Sequence, residues 1–160
     1  MDASPQSTGH PAAPDAAPLP VPEPTAGLHG AGGPRARVLV TACVDYRFAD
    51  ALVDWLRAQG LRGAYDLRTH EGASLAVDRW LDSAVVLNRL HDVEAIWIVD
   101  HEDCGAYRLA GEPNSRENHV AHLKAAQARV QAWVGKPARI YYHPLGPDGR
   151  GAPEPEEIGR

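Results

Sequence analysis

The sequence predicts an α/β protein, a doubly wound and mainly parallel sheet of strand order 2-1-3-4 with helices on both faces. Three observations carry that expectation. Short apolar runs alternate with segments whose apolar residues recur at helical spacing, the pattern of a parallel sheet covered by helices. The runs are continuous rather than alternating, as strands buried on both faces require. Two of them stop abruptly at residues with chemistry, Cys43 after the first and His101 after the third. In such sheets ligands gather beyond the carboxyl ends of strands, where the order reverses.

Each element has its own justification. Residues 1–34 hold eight of the 14 prolines among Ala, Gly and Ser, too little apolar surface to offset ordering, so a disordered arm is expected, able at most to dock on a partner subunit. His10 and His29 lie in it and receive no role. Val38 to Ala42 reads as a buried strand, and Cys43 to Arg47 as a loop. Phe48, Leu52, Val53 and Leu56 mark a helix from Phe48 to Gln59, stopped by Gly60. Ala64 to Arg68 is the second strand, and Thr69 to Ala73 a loop containing Gly72. Val77, Leu81, Ala84, Val85 and Asn88 line a helix from Ser74 to Leu90. Glu94 to Val99 is the third strand, followed by a helical turn after Cys104. Asn114 and Glu117 suit a capping box for a helix carrying Val120, Leu123, Gln127, Val130 and Val134 and ending at Gly135. Ala138 to Tyr142 is the last strand, and residues 144–160 are expected as a loop or tail. No internal repeat is present.

Composition removes several function classes. The net charge is −5 and no Lys/Arg run occurs, which argues against a nucleic-acid partner. No apolar stretch approaches the ~20 residues of a membrane helix, and no secretory signal opens the chain, so a cytoplasmic protein is expected. Two cysteines make no disulfide framework and read as ligands or reactive thiols. The absence of Cys-x-x-Cys argues against a disulfide oxidoreductase.

The strand order brings Cys43 together with His101 and Cys104. Zinc prefers thiolate and imidazole in a tetrahedron, and three protein ligands leave a position open for catalysis. Two thiolates cancel the ion's charge, so acidifying a bound water needs help from neighbouring groups. Asp45 and Arg47 are placed to give it: Arg47 clamps Asp45, which accepts a proton or itself binds zinc. Residues 35–160 are therefore expected to form a single zinc-binding α/β domain.

Cys43-Val44-Asp45-Tyr46-Arg47 and His101-Glu102-Asp103-Cys104-Gly105 resemble the paired motifs of the β-class carbonic anhydrases. The resemblance runs from about residue 37 to 110, and less clearly to about 143. It implies zinc on Cys43, His101 and Cys104, with an Asp45–Arg47 dyad that orients zinc-bound hydroxide or, in a closed form, frees Asp45 as fourth ligand. It implies substrate contacts at Gly72 and Gly105, a homodimer or larger homo-oligomer, and hydration of carbon dioxide to bicarbonate and a proton. Arg68-Thr69-His70-Glu71-Gly72-Ala73 departs from the family's Arg-Asn-Ala-Gly loop, and Tyr46 is bulky where small residues are common. Two alternatives stand beside this reading: a carbonyl sulfide or carbon disulfide hydrolase of the same fold, and a non-catalytic zinc-binding structural or regulatory relative.

The remaining polar and aromatic residues are expected to do less. His70-Glu71 reads as a polar loop, His119 and His122 as a solvated helix face, and Glu102 and Asp103 as acids at a helix N-terminus. Trp55, Trp80, Trp97 and Trp133 are expected as core or interface anchors. His91 and His143 carry no reading.

Overall fold

The computed structural model of the chain describes residues 33 and 35–159, so the proposed arm lies outside the described residues. The elements run β1 (Val38–Ala42), α1 (Tyr46–Ala58), β2 (Tyr65–Thr69), a 3-10 turn (Ala73–Ala76), α2 (Val77–His91), β3 (Ala95–His101), α3 (Gly105–Leu109), α4 (Arg116–Val134), β4 (Ala138–His143) and β5 (Glu156–Glu157). The sheet order is β2-β1-β3-β4-β5. Its first four strands are parallel, as expected, and β5 is antiparallel.

Two cores explain why the strands are apolar on both faces. On one face Val38, Val40, Ala42, Trp97, Val99 and Tyr141 pack against Leu52, Trp55 and Leu56 of α1. On the other, Leu39, Ile96, Ile98 and Ile140 meet Trp80, Leu81 and Ala84 of α2 and Leu123, Ala126 and Val130 of α4. Three of the four tryptophans are buried as expected, whereas Trp133 is 64% exposed. Trp80 is fully buried, and its indole N–H donates to the Ala73 carbonyl at 2.8 Å. Trp80→Ala is therefore expected to cost about 3–5 kcal/mol of folding stability, read from the urea unfolding midpoint.

Several boundaries differ from expectation, and four of the differences have a clear tertiary reason. β3 runs on to His101, because His101 pairs with His143 and the Glu102 N–H reaches the His143 carbonyl at 2.9 Å. α1 starts at Tyr46, because the Asp45 side chain caps it by accepting from the Arg47 amide at 3.0 Å. α4 is capped by Ser115, which accepts from the Asn118 amide, and not by Asn114, whose side chain is turned towards Cys104. Residues 144–159 fold back on the domain. The Gly151 N–H donates to the Arg47 carbonyl at 2.9 Å, and Ile158 pairs with Ile140 before the chain ends. Gly151 sits so close to α1 that a Cβ there would lie 2.8 Å from the Phe48 ring.

Candidate metal centre

β1 and β3 are in parallel register, with Ala42 opposite Val99. Their chains therefore emerge side by side at the carboxyl edge of the sheet. Cys43 follows β1 directly, His101 is the last residue of β3, and Cys104 caps the short α3. Between them Asp103 adopts a left-handed backbone, φ 57°, which turns the chain back sharply enough to bring Cys104 under His101. The ligand atoms of Cys43, His101 and Cys104 all lie within 4.8 Å of one another, and among the described residues they form the one such cluster.

The donor set fits zinc. His101 Nδ1 lies 2.8 Å from the Glu102 carbonyl oxygen, which only accepts, so Nδ1 carries the proton. In the neutral ring, the form that binds a metal, Nε2 carries the lone pair, and it is buried with no hydrogen-bond partner. A buried lone pair without a partner is costly, and a metal ion would satisfy it. The two sulfurs are 3.8 Å apart, and two thiolates at about 2.3 Å from a tetrahedral ion are about that far apart. The hydrogen bond from Cys104 lowers the Cys43 thiol to about 4 against the effect of burial, with His101 and the Gly72 N–H helping. The same bond and burial push the Cys104 thiol up.

Arg47 organises the charge around this cluster. Its Nε and Nη2 donate to Asp45 at 2.7–3.2 Å, while Nη1 donates to the Asp103 carboxylate and Nη2 to the Asp103 carbonyl, both at 3.0 Å. The Arg47 hydrogen bond holds the Asp45 carboxyl below the usual carboxylate range, so it stays ionised near neutrality. Asp45 is thus paired with Arg47, and its Oδ2 stands 4.0 Å from His101 Nε2. A small cavity of about 90 Å³ opens beside the cluster, lined by Cys43, His101, Val44, Phe48, Leu52 and Leu67 among others.

The other candidate residues are placed as follows. Gly72 has φ 74° and donates its N–H to Cys43 Sγ at 3.4 Å. Gly105 opens α3 immediately after Cys104, with open space where a Cβ would be. His70 contacts its neighbour Glu71 and does not reach the metal cluster. The solvated-face expectation fails for His119, which is fully buried against Asp100 and Asn114 because α4 turns it under the sheet edge. Glu102 and Asp103 precede the cap of α3 and bind the Leu145 N–H and two arginines, Arg47 and Arg108. His91 pairs with Asp66 at 2.7 Å. Sequence reasoning missed Asp100, Asp103 and Asn114 as supports of the site; only the position of Asp103 inside the His-x-x-Cys stretch signalled it.

His143 is buried beside Phe48, and its Nε2–H donates to the Ala152 carbonyl at 2.5 Å. Burial holds its pKa below the ordinary histidine value, with the Ala152 bond opposing and His101 assisting. An unfolded chain takes up this proton near pH ~6.5, before the folded one does. The contribution of His143 to stability is therefore intact above that pH and is lost as pH falls through the lower folded value. The decline in urea midpoint on acidification is expected to be shallower in His143→Gln than in the parent.

A family model described as "Putative carbonic anhydrase" matches residues 34–142. An uncharacterized protein of Rickettsia conorii is 30% identical over 130 residues, covering 71% of this chain and 69% of that protein. Among solved structures, a carbonic anhydrase from Streptococcus mutans is similar with a TM-score of 0.56 at 16% identity, over 90% of this chain and 87% of that one. The β-carbonic anhydrase isoform I of Trichomonas vaginalis is similar with a TM-score of 0.50 at 18% identity, over 79% and 84%. At these identities the two structures speak to the fold.

Proposed function

The chain belongs to this carbonic-anhydrase-like family, and on that premise we propose that it catalyses the zinc-dependent, reversible hydration of carbon dioxide to bicarbonate and a proton. The observation that carries the proposal is the placement of an Arg47-clamped, ionised Asp45 4.0 Å from the unpartnered Nε2 of His101, at the edge of a Cys–His–Cys cluster.

Cys43, His101 and Cys104 would hold the ion. When bound, zinc supplies Lewis acidity that makes a water nucleophilic near neutral pH. The chain's own residues do the rest. Arg47 holds both oxygens of Asp45, its Nε–H shared between them, and Oδ2, the oxygen 4.0 Å from His101 Nε2, would accept the proton of an attacking water. Asp103 anchors Arg47 from the opposite side, so the guanidinium cannot follow Asp45 if the carboxylate turns. The cavity of about 90 Å³ has room for roughly three waters' worth of volume and is mostly apolar, which suits a small uncharged molecule such as carbon dioxide. Gly72 and Gly105 are the backbone positions assigned to substrate contact; neither places a side chain between the loops and the ligand cluster.

A cytoplasmic homo-oligomer completes the reading. No described helix is long and apolar enough to cross a membrane. Leu109 is 93% exposed and Tyr46 77%, apolar surface that a second subunit would cover.

The test is stopped-flow carbon dioxide hydration from about pH 6.5 to 9 on protein of measured zinc content. Turnover with one zinc per chain is expected, rising with pH. Full zinc without hydration would overturn the proposal. In that case sulfide release from carbonyl sulfide or carbon disulfide would assign the hydrolase alternative, and no turnover of any of these gases a non-catalytic zinc protein.

A further inference from the structure

Behind the ligand cluster lies a buried polar network that the proposed reaction does not use. Its hub is Asp100, 2% exposed, in the strand position before His101. The Asp100 carboxylate accepts from the Ser74 amide at 2.9 Å, the Ser74 hydroxyl at 2.6 Å and the Tyr107 hydroxyl at 2.8 Å. His119 Nδ1 lies 3.0 Å from the same carboxylate, and its ring packs at a tilt against Tyr107 with centroids 3.8 Å apart. Burying so many polar groups is tolerable only because each has a partner.

The network ends on a metal ligand. Asn114 grips the backbone of Cys104 at two points: its Oδ1 accepts from the Cys104 N–H at 3.2 Å, and its Nδ2 donates to the Cys104 carbonyl at 3.0 Å. The backbone groups have fixed roles, so the orientation of the Asn114 amide follows without ambiguity. His119 Nε2 is 2.9 Å from the same Oδ1. His119 is thus a strut between Asp100 and Asn114, one ring nitrogen on each.

We propose that Asn114, oriented by His119, is the positioning residue that fixes Cys104 for metal binding. The inference rests on the zinc reading above. Three geometric facts argue for it. Cys104 follows Asp103, a non-glycine residue at φ 57°, so the loop sits in a backbone state that needs outside support. Asn114 supplies that support ten residues downstream, from the loop before α4. Ser74 ties the same hub to the segment whose Gly72 N–H reaches Cys43 Sγ, so one network aligns the carriers of both sulfurs. Without it the Cys104 loop is free to relax, and the spacing of the sulfurs that matches zinc is no longer imposed in advance.

The experiment measures zinc affinity by competition with a chromophoric chelator, together with the optical spectrum of the cobalt-substituted protein. Asn114→Ala is expected to weaken zinc binding about 10–100-fold, the usual effect of losing a support behind a ligand, and to shift the cobalt–thiolate bands. Asn114→Asp keeps the acceptor facing Cys104 N–H and His119 but sets a carboxylate oxygen against the Cys104 carbonyl. It is expected to weaken zinc and move the same bands, and its near-identical shape preserves folding. His119→Gln, which offers an amide N–H to Asn114, is expected to retain more affinity than His119→Ala. Asn118→Ala is the control. Asn118 braces the same loop through Glu112 and the Pro113 carbonyl without touching Cys104, so its loss should lower stability and leave zinc affinity unchanged. Unchanged affinity and cobalt spectrum in both Asn114 variants, beside a parent protein that binds zinc normally, would overturn the positioning role alone. A parent protein that binds no zinc would overturn the zinc reading, and this proposal with it.

Discussion

Cys43→Ser is expected to strip the protein of zinc and of carbon dioxide hydration together. Zinc-site binding energies of about 10–16 kcal/mol spread over four ligands come to roughly 2.5–4 kcal/mol each, so losing one thiolate should weaken affinity by about 10²–10³-fold. Serine stays a neutral hydroxyl where cysteine is readily a thiolate; the Cys104 hydrogen bond already lowers Cys43 to about 4. The fold should survive. Cys43 is only part-buried, outside both apolar cores, and the Gly72 N–H that donates to its sulfur can donate to a hydroxyl instead. Metal content by elemental analysis, hydration rate and circular dichroism are the readouts. A variant that keeps one zinc per chain after dialysis against a mild chelator would remove Cys43 from the ligand set.

Asp45→Asn should separate metal from rate. The amide has the same shape, and its oxygen can still accept from the Arg47 backbone to cap α1. It cannot accept a proton, and its NH₂ group would face the Arg47 guanidinium donor to donor. Arg47 retains its two bonds to Asp103, so the loop stays anchored. Zinc content is therefore expected to match the parent, while hydration falls by about 10²–10³, within the usual contribution of a positioned general base. Undiminished turnover would show that Asp45 takes no part in moving the proton.

Both predictions use residues legible in the sequence, and the reason is local. Cys43, Asp45 and Arg47 lie within five positions, and His101 and Cys104 within four, at the ends of apolar runs that only a buried strand explains. The strand-helix alternation then required parallel pairing, which put the two stretches at one edge of the sheet. Elsewhere local reasoning misled. Asn114 has good N-cap chemistry three residues before a glutamate, yet Ser115 caps α4, because Cys104 competes for the Asn114 amide. His119 and His122 share a helix face by spacing, but α4 lies with His119 against Asp100 and leaves His122 partly exposed beside Glu112. Residues 144–159 carry the composition of a tail and nonetheless close over Phe48, since Gly151 permits an approach that any side chain would block.

The sequence by itself determined the order of the four parallel strands, the clustering of Cys43, His101 and Cys104 and the Asp45–Arg47 pair, because hydrophobic period and short-range spacing are properties of neighbouring residues. Tertiary structure alone decided which groups hold those residues in place. Arg47 meets Asp103 across 56 positions, His119 meets Asp100 across 19, and Asn114 meets Cys104 across 10. No periodicity records such pairs. They are selected by proximity in the folded chain, where a buried polar group must find a partner whatever its distance in sequence.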